Sequence, residues 1–227
     1  MSTDRPNGAP TYGASVHYDA DYFAWQNSNI DLKTKIKVKR FSPYIEPTDT
    51  VLDFGCAGGA MIAALPGARK IGVELNDVAR ASAVKNFGVE AYRNLSDVPD
   101  GVADVIVSNH TLEHIAAPYD ALRQLLPKLK PSGRLVLVLP IDDWRVLRRY
   151  DPKDINRHLY TWTPMNIGHL LDEAGYRPEE IRIIHRTLMR GFDRLAKLPE
   201  PVFEAVSWFY SHARHRQELL VTARPQG

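Results

Sequence analysis

The segment Val51-Leu52-Asp53-Phe54-Gly55-Cys56-Ala57-Gly58-Gly59-Ala60 constrains the fold of this chain more than any other. Its apolar run reads as a buried strand, its glycines as a tight turn, and its end as the start of a helix. A second strand, Lys70-Ile71-Gly72-Val73-Glu74-Leu75, follows and ends on an acid. Strand, glycine turn, helix and strand in this order form the nucleotide-binding half of a doubly wound sheet, with ligands at the strand ends. Glycines let the backbone come close to a ligand. An acid about twenty residues after the turn, the place of Glu74, can accept both hydroxyls of a ribose. The expected ligand therefore contains adenosine.

Two frames fit the glycine turn. Dinucleotide sites use G-x-G-x-x-G/A, and the second glycine admits the pyrophosphate. Here that frame reads Gly55-x-Ala57-x-x-Ala60, with an alanine where the pyrophosphate presses hardest. A nicotinamide oxidoreductase is thereby disfavoured, and a nicotinamide-binding titration would settle it. The other frame, Asp53-x-Gly55-x-Ala57-x-Gly59, resembles the first motif of class I S-adenosylmethionine (SAM) methyltransferases, with Ala for the middle glycine.

Later motifs extend the resemblance. Val102 to Ser108 reads as a fourth buried strand entering a polar turn, and Leu112-Glu113-His114 with Pro118 is similar to the L-E-H-x-x-x-P signature of the small-molecule branch of that superfamily. Pro131-Ser132-Gly133 with Arg134 to Pro140 resembles its turn and fifth strand, and His158-Leu159-Tyr160-Thr161-Trp162-Thr163-Pro164 its later segment. Tyr22-Phe23 with Trp25-Gln26, taken with His158 to Trp162, resembles methyltransferases of bacterial glycan and polysaccharide assembly. The fold implied is α/β: a Rossmann-like, doubly wound, seven-stranded sheet, mostly parallel, with an antiparallel last strand.

The resemblance also implies residue roles, with SAM as cofactor. Asp53 would order the turn and help hold the methionine ammonium, while Gly55, Cys56, Ala57 and Gly59 line the amino-acid part. Glu74 would take the ribose hydroxyls and Leu75 would pack on the adenine. After the third strand, where the family often has an acid for the adenine amino group, this chain has Tyr92-Arg93-Asn94. Asn94 can accept that hydrogen bond through its side-chain oxygen. Leu95 and Asn109 complete the cofactor set.

An oxygen acceptor must lose its proton, and a histidine near neutral pKa suits that task. His110, just beyond the fourth strand, and His158, in a polar loop beyond the fifth, are the catalytic candidates; each is otherwise a hydrogen-bonded structural histidine. His114 is read as fixing the turn with Glu113. The charged loop Asp142 to His158 suits a polyhydroxylated or anionic acceptor, or else forms internal ion pairs. Trp25, Tyr150, Asn156 and Trp162 are the substrate-binding candidates. No metal site is read.

At 227 residues one domain is the default, with 44% hydrophobic and 25% charged residues. A net charge of +2 makes no case for a nucleic-acid partner. The single cysteine, Cys56, excludes an internal disulfide and fits a reducing compartment. No window approaches a membrane span, so the cytoplasm is expected. Residues 1–16 read as a flexible N-terminal arm and 17–227 as the methyltransferase domain. In the latter, 17–29 is an aromatic flap that either closes over the cofactor or packs on the core. An extra helical segment, 188–214, covers the sheet edge, forms a homodimer contact, or walls the acceptor pocket. The acceptor expected is a small molecule or glycan, methylated on a hydroxyl. Alternatives are a nitrogen, carbon or quinone acceptor, or a non-catalytic SAM-binding subunit.

Overall fold

Alternation along the strands decides how the sheet is covered. Leu135, Leu137 and Leu139 face one side with Leu52, Ile106 and Val221, while Val136 and Val138 face the other with Val51, Val105 and Leu220. Both faces are therefore apolar and need helices over them, as an interior parallel sheet requires. The computed structural model describes residues 30–143, 145, 149–154, 156–185 and 198–226. Its strands are β1 (Thr50–Phe54), β2 (Arg69–Val73), β3 (Glu90–Tyr92), β4 (Ala103–Asn109), β5 (Leu129–Ile141), β6 (Tyr176–His185) and β7 (Gln217–Pro225). Its helices are α1 (Ile30–Phe41), α2 (Ala60–Ala64), α3 (Asp77–Phe87), α4 (Pro118–Leu125), α5 (Pro164–Glu173) and α6 (Glu200–Ala213).

The sheet order is β3-β2-β1-β4-β5-β7-β6. Pairs among β1 to β5 are parallel, and β7 runs antiparallel between β5 and β6. The expected fold class holds. The chain steps outward from β1 to β3 and then returns to place β4 on the other side of β1. That reversal opens a crevice beyond the ends of β1 and β4, where doubly wound sheets bind ligands.

Local chemistry sets the helix ends. Asn76 caps α3 by accepting from the amides of Val78 and Ala79, and Gly88 closes it at φ 65°. Thr163 and Asn166 form a reciprocal capping box on α5. The α4 helix ends at Leu125, and a 3-10 turn covers Leu126–Lys128. Pro127 has no amide hydrogen to continue the α-helical ladder. The segment before β7 forms α6, which buries Phe203, Ser207 and Ser211 and leaves Val202, Trp208 and Phe209 exposed. It packs on the edge strand β6, with Glu204 hydrogen-bonded to His185 and paired with Lys39. Residues 1–29 and 186–197 lie outside the described residues. No helix among the described residues is long and apolar enough to cross a membrane.

Candidate active site

The glycine turn is held from the neighbouring strand. The amides of Gly55 and Cys56 both donate to the Val73 carbonyl. Gly55 and Gly59 have φ of 84°, and a Cβ on Gly55 would collide with the Thr111 side chain. That clash shows how closely the turn after β1 meets the turn after β4. Ala57, in the place of the family's middle glycine, also sits in the left-handed region at φ 48°. Cys56 is buried against Gly72, and burial pushes its thiol far above the usual range, so it packs as a small apolar residue.

Two carboxylates flank the turn. Glu74 accepts from the Ala57 amide at 2.9 Å through Oε2 and from the Asn76 amide at 2.8 Å through Oε1. A carboxylate has about four acceptor positions, so these two amides leave Glu74 with further capacity to accept hydrogen bonds. Asp53 is 1% exposed, and neither carboxylate oxygen has a hydrogen-bond partner among the described residues. Burial pushes its pKa up to about 7; Lys37 of α1 opposes this and Glu74 adds to it. An orphaned buried carboxylate beside a glycine cradle fits the ammonium of an amino-acid ligand. Asn94 donates to Asp97 through Nδ2 at 3.2 Å, which leaves its side-chain oxygen to accept. Leu75 packs at the edge of the core and Leu95 is buried within it. Asn109 ends β4, on the lip of the crevice.

Across the crevice a second buried carboxylate gathers histidines. Glu113 is fully buried in the 3-10 turn Leu112–His114, and no other residue among those described hydrogen-bonds its carboxylate oxygens. His110 Nδ1, His114 Nε2 and His158 Nε2 each lie 3.9 Å from Glu113 Oε1. His158 Nδ1 is 2.6 Å from Asp142 Oδ2, at the end of β5. His110 adopts φ 53°, a strained conformation for a residue other than glycine, and its Nε2 lies 3.0 Å from Glu218 Oε1. Arg40 pairs with the other Glu218 oxygen at 2.5 Å. Burial raises the Glu113 carboxyl pKa, against the pull of His110, its own amide and His158. Burial first, then His158 and His110, lower the His114 pKa to about 4, so that ring is neutral at pH 7. Backbone bonds from Leu159 and Tyr160 to the Glu113 carbonyl, at 2.9 and 3.3 Å, pin the loop that brings His158 in.

Both catalytic candidates thus stand in one cluster. Sequence reasoning treated Glu113 only as a turn-fixing partner and Asp142 only as part of a charged loop. The acid beside His114 in the Leu-Glu-His run was the signal that a buried carboxylate stands there; nothing local marks Asp142 or Glu218. The substrate candidates fare differently. Trp162 is 3% exposed within the core, with Tyr160 stacked at 5.9 Å, so the expected open face for a sugar is corrected to a packing role. Its position just before the α5 cap turns the ring inward. Tyr150 is 86% exposed, and Asn156 is exposed with its amide donating to Asp154. Trp25 lies outside the described residues. A groove of 640 Å³ between α1, β6 and α6, lined among others by Tyr44, Ile184 and Trp208, includes none of these strand-end residues.

Comparison with known proteins now bears on this geometry. Residues 27–181 match a family model described as a methyltransferase domain. Ribosomal protein L11 methyltransferase of Clostridium botulinum is 37% identical over 105 residues, covering 42% of this chain and 34% of that protein. The Burkholderia mallei protein of the same name is 30% identical over 112 residues, covering 46% and 36%. The chain thus spans about a third of the length of these curated relatives. Among solved structures, a Haloferax volcanii complex of the Trm112 methyltransferase activator with a methyltransferase superposes with a TM-score of 0.69 at 16% identity, covering 94% of this chain and 98% of that one. A geranyl diphosphate methyltransferase in complex with SAM gives 0.60 at 18%, covering 96% and 93%.

Proposed function

Because this chain belongs to the methyltransferase-domain family and is a SAM-dependent enzyme, we propose that it methylates oxygen on a small polar acceptor, a sugar or glycan hydroxyl foremost. The observation that supports this reading is the histidine cluster around the buried Glu113, beside the turn after β4 that meets the glycine turn at Thr111. Bound SAM supplies a methyl group made electrophilic by its sulfonium sulfur. The protein must then hold the acceptor in line and take the hydroxyl proton.

Asp53 would bind the methionine ammonium, and the glycine turn would line the chain that follows it. Glu74 would fix the ribose, with Leu75, Asn94 and Leu95 around the adenine. His110 is the base placed first, because it stands directly after β4 and its Nε2 lies 3.0 Å from Glu218 Oε1. His158, aligned by Asp142, is the second. Tyr150, Asn156 and the exposed acids of the loop 142–158 would meet a polyhydroxylated acceptor.

The test is a screen of sugar nucleotides and glycans with SAM, read by product mass, on the wild-type protein and His110→Gln. Product from a sugar that falls at least tenfold in the variant, with SAM affinity unchanged, supports the reading. Product only from amine or protein acceptors overturns it. A protein acceptor is the second reading, favoured by the L11 methyltransferase relatives.

A further inference from the structure

The geometry points to a divalent metal site of the zinc class, formed by the Glu113 carboxylate, His114 Nε2 and His158 Nε2, with Asp142 as the orienting partner of His158. The ligand atoms of these residues all lie within 4.8 Å of one another. Both histidine nitrogens stand 3.9 Å from Glu113 Oε1. That is too long for a hydrogen bond, which needs about 3.2 Å or less. It is close to the spacing of two ligands on one ion: at about 2.1 Å each and a tetrahedral angle apart, they lie about 3.4 Å from each other. The two carboxylate–imidazole distances need to shorten by about 0.5 Å, and the imidazole–imidazole distance, within 4.8 Å, by no more than about 1.4 Å.

Two further features belong to such a site. The Glu113 side chain is fully buried, its carboxylate accepts no hydrogen bond from another described residue, and its Oε1 lies 3.9 Å from a nitrogen of each of the two rings. A cation satisfies that charge where solvent does not reach it. His158 Nδ1 stands 2.6 Å from Asp142 Oδ2, and its Nε2 lies on the side of Glu113. A carboxylate behind a histidine is the usual outer partner of a metal-bound imidazole. The His114 and His158 rings meet edge to face at 4.9 Å, so they approach the gap from different directions.

Two imidazoles and one carboxylate leave an open position, as in catalytic rather than structural zinc sites. An acceptor hydroxyl bound there would lose its proton more readily. The proton would pass to His110, and His158 would serve as ligand instead of base. This use of the site rests on the hydroxyl-acceptor reading, whereas metal binding itself does not.

The decisive experiment is a cobalt titration of the chelator-treated full chain, followed by visible ligand-field absorption and by zinc competition, with SAM calorimetry on the same samples. One equivalent of cobalt with low-symmetry bands, displaced by zinc, is expected. Glu113→Gln and His158→Gln should each weaken binding at least 100-fold. Asp142→Asn should weaken it roughly 10–100-fold, and His169→Ala, an exposed histidine outside the cluster, should leave it unchanged. Circular dichroism melts check folding; if a ligand variant unfolds, Asp142→Asn carries the test, because it removes no ligand. No saturable binding, or binding unaltered by the cluster variants, overturns the site. Metal binding without sugar methylation would count against the acceptor reading alone.

Discussion

The two sides of the crevice each centre on a buried carboxylate without a hydrogen-bonded partner among the described residues, and they are built in opposite ways. Asp53 stands inside one short segment, next to the glycine turn it serves. Glu113 is surrounded by residues from β4, the β5 end and a distant loop. The first site is nearly complete once β1 and β2 pair. The second exists only after residues 110, 114, 142, 158 and 218 are brought together. A shared adenosine ligand needs one standard cradle, while acceptors differ; local motifs therefore suit the cofactor side, and loops set on a rigid sheet suit the other.

Trp162→Ala tests how far the acceptor side depends on assembly. Removing a buried tryptophan should cost about 3–5 kcal/mol in urea unfolding. A loss below about 1 kcal/mol, within the range of surface substitutions, would restore the ring as an open sugar platform. Asp53→Asn probes the cofactor side. The folded carboxyl titrates near pH 7 against an ordinary 3.8, so its contribution is full below pH 3.8 and lost as pH rises through 7. An amide escapes that loss, and at pH 8 the variant should be more stable by up to about 4 kcal/mol, with weaker SAM binding. Unchanged stability at pH 8 would mean that the carboxylate is not orphaned.

Glu74→Ala should weaken SAM binding at least 100-fold, since it deletes charge-assisted hydrogen bonds worth about 1.5–3 kcal/mol each. Retention of affinity by calorimetry would remove the ribose role. Wild-type affinity should fall about tenfold per pH unit below pH 7, because the protonated Asp53 no longer attracts an ammonium. A flat profile from pH 8 to 6 would break that link. The smallest effect belongs to Ala57→Gly: release of a left-handed alanine should add about 1 kcal/mol in thermal or urea melts, and destabilisation would show that the alanine methyl packs favourably.

Legibility in the sequence follows the same division. The cofactor-side residues Asp53, Gly55, Gly59 and Glu74 announce themselves by spacing, because a strand, a turn and a helix fix their relative positions over few residues. His110 and His158 were legible as histidines in polar turns. Their common focus on Glu113 was not, because 45 residues separate Glu113 from His158 and tertiary contacts such as the backbone bonds at Leu159 and Tyr160 bring them together. Trp162 was misjudged since an aromatic in a polar loop carries no local mark of the side it faces.

Sequence alone determined the strand, turn and helix order of a doubly wound sheet through short-range periodicity and turn chemistry, and its motifs carried the resemblance that implied the seven strands, the antiparallel last strand and the cofactor class. Tertiary structure alone decided the order that inserts β7 between β5 and β6, the inward turn of Trp162, and the ring of histidines around one carboxylate. Those features depend on contacts between segments far apart in the chain, where burial and close packing, rather than local preference, choose the arrangement.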